Sequence, residues 1–145
     1  MRVEKVKKDI HGIVPVMITP FHEDGDIDWD GLENLIEWYI AHGAQALFAV
    51  CQSSEMQHLT LEERRDLSAF TAKQVAGRVP VLASGHVADA QSEQAYELAT
   101  IADTGIDCLV MVSNRLDPEK AGGDQLRDAI DCLLYTSDAA DEVDG

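Results

Sequence analysis

Ile13-Val14-Pro15-Val16-Met17-Ile18, closed by Thr19-Pro20, is a short apolar, β-branched run with a breaker at its end, the pattern of a buried strand. A polar turn centred on Asp24-Gly25 follows, and the apolar period then changes. Leu32, Leu35, Ile36, Tyr39 and Ile40 recur at the i, i+3, i+4, i+7, i+8 spacing of one buried helix face. Asp28 or Asp30 can cap the start of that helix, and Gly43 stands where a left-handed terminator belongs.

This strand–helix unit repeats. Ala46–Val50 reads as a second buried strand. Thr60-Leu61-Glu62-Glu63 is a capping box, ahead of a helix whose inner face carries Leu67, Phe70, Thr71 and Val75 and which ends near Gly77. Val79–Ala83 is a third strand, with Pro80 tolerable only near its start. A helix around Asp89 to Thr104 buries Ala95, Leu98, Ala99 and Ala102 and closes at Gly105; Cys108–Val112 is the fourth strand. Apolar runs about 30 residues apart suit parallel strands covered on both faces and joined by helical crossovers. An open doubly wound sheet and a barrel both fit that period. The open sheet ordinarily has a Gly-rich phosphate loop after its first strand, where this chain has Thr19-Pro20-Phe21-His22. A complete barrel needs roughly 200 or more residues, so 145 residues supply about three and a half units.

A formal net charge of −16 argues against nucleic acid and against anionic membrane surfaces, both of which require clustered Lys and Arg. It does not exclude an anionic small molecule, because a few local donors can outweigh net charge inside a cleft. No apolar run approaches the roughly 20 residues of a membrane span. Lys5, Lys7 and Lys8 are not followed by a signal-peptide core, and Cys51, Cys108 and Cys132 form neither a disulfide framework nor a metal motif. The expected location is the cytoplasm.

From Asp131 onward the text changes character. Cys132-Leu133-Leu134-Tyr135-Thr136-Ser137-Asp138-Ala139-Ala140-Asp141 reads in frame as transposon-end adaptor DNA. The expected division is therefore a partial barrel over 1–131 and a non-native run over 132–145.

Four segments together resemble the dihydrodipicolinate synthase / N-acetylneuraminate lyase family. Gly12 to Phe21 resembles its opening strand, with the Thr-Pro-Phe signature, and Asp24-Gly25-Asp26-Ile27-Asp28 its turn into the first helix. Cys51-Gln52-Ser53-Ser54-Glu55, with Leu59-Thr60 and Glu63-Arg64, is similar to the family's Gly-Thr-Thr-Gly-Glu loop and its Leu-Thr…Glu-Arg continuation; Gly77 to Val81 resembles the approach to the third strand. The resemblance covers Ile10 to about Ile130. It implies the N-terminal half of a TIM (β/α)₈ barrel and a class I aldolase-type lyase or synthase. A lysine on the sixth strand, beyond this fragment, would form a Schiff base with pyruvate or a related 2-oxo acid. The resemblance implies no metal or organic cofactor, a homotetrameric parent, and an inactive fragment.

The resemblance assigns the catalytic and carboxylate-binding hydroxyl to Ser53, with Gln52 and Ser54 beside it in the substrate-binding loop; the alternative is that Ser53 and Ser54 only satisfy a βα turn, and Glu55 either orders the loop or is a surface carboxylate. Two departures stand out. Gln52 replaces a relay hydroxyl, and Ser113-Asn114-Arg115 replaces a Pro-Tyr-Tyr segment, which removes the relay tyrosine. Arg115 near that place is a candidate for binding a second substrate carboxylate, or an ordinary loop cation. His86, at the end of the third strand, is either a general acid/base or a hydrogen-bonded structural residue. His58 reads as structural, His11, His22 and His42 show no ligand spacing, and Trp29 and Trp38 read as helix packing. The departures also motivate a second class of function, a barrel that binds or regulates without catalysing. A third is a half-barrel that pairs through its exposed strand edges.

Overall fold

A computed structural model describes residues 9–120 and 122–143, with the side chains of the last helix described as far as Leu133. Helix α1 (Trp29–Ala41) starts at Asp28, whose carboxylate accepts the Gly31 N–H at 2.9 Å. Strand β1 (Leu47–Val50) leads through two 3₁₀ turns, Gln52–Ser54 and Met56–His58, into helix α2 (Leu61–Val75). The Thr60 capping box forms as expected: Thr60 Oγ1 accepts from Glu63 N–H and Glu63 Oε1 from Thr60 N–H. Strand β2 (Val81–Ala83), helix α3 (Gln91–Ala102), strand β3 (Cys108–Leu109), a short helix α4 (Ser113–Leu116) and helix α5 (Gly123–Val143) complete the order.

β1, β2 and β3 are parallel and lie side by side in chain order. The first predicted strand lies on the free side of β1, also parallel, but only Val16 forms a ladder bridge, to Phe48. Phe48 N–H donates to Pro15 O and Met17 N–H to Phe48 O. Pro15 has no N–H to add the preceding rung, so the expected strand over 13–18 shrinks to an extended segment. Four parallel segments in unbroken chain order bend the choice toward a barrel, since the common doubly wound orders put the first strand between two others. The fourth strand is likewise shorter than the predicted Cys108–Val112. After Val110 donates to Ala83 O, the chain leaves the sheet and turns into α4.

The main core lies between sheet and helices, with Met17, Leu32, Ile36, Leu47, Leu67 and Ile101 almost wholly buried. Helix α3 is rotated from its expected face. Ala95 and Leu98 are buried with Ile101, while Ala99 and Ala102 are only half-buried and polar Gln94 and Glu97 are buried instead. A second, smaller cluster joins Ala95 and Leu98 to Leu133 of α5. Trp29 packs on Phe70, but Trp38 is exposed and stacks on His42 rather than on a neighbouring helix. Among the described residues, no helix is long and apolar enough to cross a membrane.

Candidate active site

The ends of β1 and β3 converge on a cavity of about 360 Å³. Val16 and Phe48 form its apolar base. Cys51, Gln52 and Ser53 follow β1 and line one wall; the segment from Val110 to Ser113 follows β3 and lines the other. The cavity is thus at the C-terminal ends of the strands, the edge on which barrel enzymes build their sites.

The structure brings Gln52 and Ser53 to this cavity, both exposed, and separates them from the other two expected residues. Ser54 is completely buried and faces the backbone. Its hydroxyl lies 2.6 Å from Met17 O and 2.9 Å from Ala49 O, and it accepts from Cys51 N–H at 3.3 Å. The buried Thr19 hydroxyl donates in turn to Ser54 O at 2.8 Å. Ser54 therefore stitches the first segment to the loop after β1. A glycine at this place, as in the family pattern, would have no hydroxyl with which to do so. Glu55 takes a left-handed conformation (φ 63°) that links the two 3₁₀ turns. Arg115 sits outside the cavity, where its guanidinium pairs with the exposed Asp89 at 3.2 Å.

His86 is buried with both ring nitrogens engaged. Nε2 accepts the Val112 N–H at 2.7 Å, and Nδ1 meets Gln94 Oε1 at 2.8 Å. Burial pushes its pKa below the ordinary 6.5. Of its two sequence readings, this geometry is that of the hydrogen-bonded structural residue.

Beside it, buried Arg64 of α2 pairs with Glu97 of α3 and donates to Gly85 O. The Glu97 carboxylate accepts the N–H groups of Val87 and Ala88. Together these five residues fix the loop after β2. The sequence reading missed Arg64, Gln94 and Glu97 in this role. The signal was present: Arg64 continues the Leu67, Thr71, Val75 face, and Gln94 stands four residues before Leu98. Among the described residues, no three His, Cys, Asp or Glu side chains are grouped to hold a metal ion.

Residues 9–121 match the Dihydrodipicolinate synthetase family. The chain belongs to that family. It is 35% identical over 107 residues to the 4-hydroxy-tetrahydrodipicolinate synthase of Polynucleobacter asymbioticus, an alignment covering 73% of this chain and 34% of the relative. The crystal structure of dihydrodipicolinate synthase from Aquifex aeolicus superposes with a TM-score of 0.75 at 28% identity, covering 88% of this chain and 42% of that one. A chloride-inhibited dihydrodipicolinate synthase from Acinetobacter baumannii, complexed with pyruvate, superposes at 0.76 with 25% identity, covering 88% and 43%. The chain spans about a third of the length of the curated relatives it matches. With its sequential parallel strands, it has the fold of the N-terminal half of a (β/α)₈ barrel of this family.

Proposed function

We propose that the whole protein to which this half-barrel belongs is a Schiff-base-forming lyase or synthase acting on pyruvate or a related 2-oxo acid. The observation that carries the reading is the cavity at the strand ends with Ser53 and Gln52 on its wall, in a chain of this family. A lysine amine adds to the 2-oxo carbon and water leaves. The protonated imine then withdraws electrons from the neighbouring carbon, which gives up a proton and becomes the nucleophile toward an aldehyde or imine. Ser53 supplies Oγ–H and N–H to the substrate carboxylate, and Gln52 supplies an amide in place of a hydroxyl. Ser54 supports that loop from behind. Arg115 reaches a second carboxylate only after releasing Asp89.

Among the described residues the lysines are Lys73 and Lys120, and neither lines the cavity. The 145-residue chain alone is therefore expected to form no adduct. Borohydride trapping with pyruvate, followed by mass spectrometry, tests both statements. The whole protein should gain one reduced pyruvate and the 145-residue chain none. A whole protein that binds pyruvate by calorimetry without trapping it would instead support a non-catalytic barrel. The missing relay hydroxyl at Gln52 and the Ser113-Asn114-Arg115 segment favour that second reading.

We further propose a homotetrameric, cytoplasmic parent and a non-native run over residues 132–145. Long-read sequencing of the source DNA across codon 131 checks the latter: a frame continuing past it into further βα units supports it, and a stop after Gly145 refutes it. Leu133, inside that run, is buried against α3 because it extends the α5 face of Leu126 and Ile130.

A further inference from the structure

The rim turn at Val112–Arg115 is held at both ends by two side chains that do not line the main cavity. His86 takes the Val112 N–H at its start. Gln94 Nε2 donates to Arg115 O (3.2 Å) at its end and lies 3.4 Å from Asp89 O. Each link fixes the next. A backbone N–H is only a donor, so Nε2 must carry a lone pair and Nδ1 the proton. Gln94 must then present its oxygen to His86 and its amide N–H groups to the two carbonyls.

We propose that His86 is a positioning residue of the cavity: its neutral ring, oriented by Gln94, holds the Val112–Arg115 turn against the site, and a second ring proton releases it. The proton would sit on Nε2, facing the Val112 N–H, and two donors cannot bond. Among the described residues the charged groups around the ring are few. Glu97 of α3 favours the cation and Arg115 of α4 opposes it. Arg64 of α2 is engaged with Glu97 and Gly85 O, and Asp89 is turned to solvent with Arg115. Burial outweighs them and disfavours the charged ring. The folded state therefore binds fewer protons than the unfolded one just below pH 6.5, so stability falls as pH drops from there toward the lowered pKa.

The consequence for ligand binding rests on the function proposed above; the clamp itself does not. If only the neutral form closes the rim, affinity for pyruvate falls roughly tenfold per pH unit below the ring's pKa. The test is a pH titration of the ¹⁵N-labelled 145-residue chain, following the Val112 amide and the His86 ring together. Pyruvate is the added probe. In the wild type, the Val112 amide should lose its hydrogen-bonded shift in step with ring protonation. In His86→Gln, whose side-chain oxygen can accept the same N–H and cannot titrate, the amide should stay constant with pH. That pair of results supports the clamp even where pyruvate fails to bind, a failure that counts against the site reading alone. An amide that ignores ring protonation, an identical response in His86→Gln, or a ring that stays neutral until the chain unfolds overturns it.

Discussion

After β1 the chain is pinned by one neutral hydroxyl, Ser54, which lies against the carbonyls of Met17 and Ala49 and accepts from the Cys51 N–H. After β2 it is pinned by an ion pair, Arg64 with Glu97, whose remaining capacity goes to Gly85 O and the Val87 and Ala88 N–H groups. Both devices hold a loop on the same edge of the sheet, and both are buried. They differ in what their loss leaves behind. Removing Ser54 Oγ orphans dipoles, whereas removing Glu97 orphans a full charge that cannot easily be rehydrated. The wall behind Gln52 and Ser53 should therefore tolerate substitution and respond little to pH, whereas the scaffold around His86 should not.

The largest effect is expected from Glu97→Ala, which should cost about 3–5 kcal/mol by urea unfolding because it strands Arg64 and two backbone N–H groups. A loss below about 1 kcal/mol would erase the contrast between the two loops. Ser54→Ala should cost about 1–3 kcal/mol, and the difference from wild type should not change with pH, since no titratable group is removed. If that difference grows on acidification, the Ser54 latch is coupled to charges the geometry does not show. Thr60→Ala removes a cap at the exposed start of α2 and should cost about 1 kcal/mol, a reference for a purely local bond.

The smallest effect belongs to Glu37 on the surface. The Arg78 guanidinium, with help from the Gln74 amide, lowers its pKa from 4.5 to about 2. Because the folded-state pKa is depressed, the ionised pair contributes above pH 4.5 and the contribution is lost as pH falls toward 2. Thermal melts of Glu37→Gln and wild type should therefore differ slightly at neutral pH and converge through that window. A constant difference would show that the bond, not the charge, is what matters.

Much of the secondary structure was legible in the residues. The Thr60 box, the Asp28 cap and the Gly43 and Gly105 terminators are local devices, and each acts within a few residues of where it is written. Strand lengths were less legible. Apolarity marks Ile13 to Ile18 and Cys108 to Val112 as strands, but pairing depends on which N–H groups meet a neighbour. Pro15 breaks one ladder, and His86 claims the Val112 N–H beyond the other. The site was half legible. Gln52 and Ser53 reach the cavity because a strand end delivers consecutive residues to one place. Ser54 and Arg115, one and a few residues beyond the walls, turn to partners that local sequence does not name.

The strand–helix period, the helix caps, the acidic surface and, through the ordered motifs, the family can all be read from the residues alone. Those properties depend on neighbours along the chain, whose chemistry is read directly. The sequential strand order, the rotation of α3 that buries Gln94 and Glu97, and the contacts of Ser54 and His86 behind the two cavity walls emerge only in the folded chain. Each joins residues far apart in sequence, and a buried polar group is stable only beside the one partner that packing brings to it.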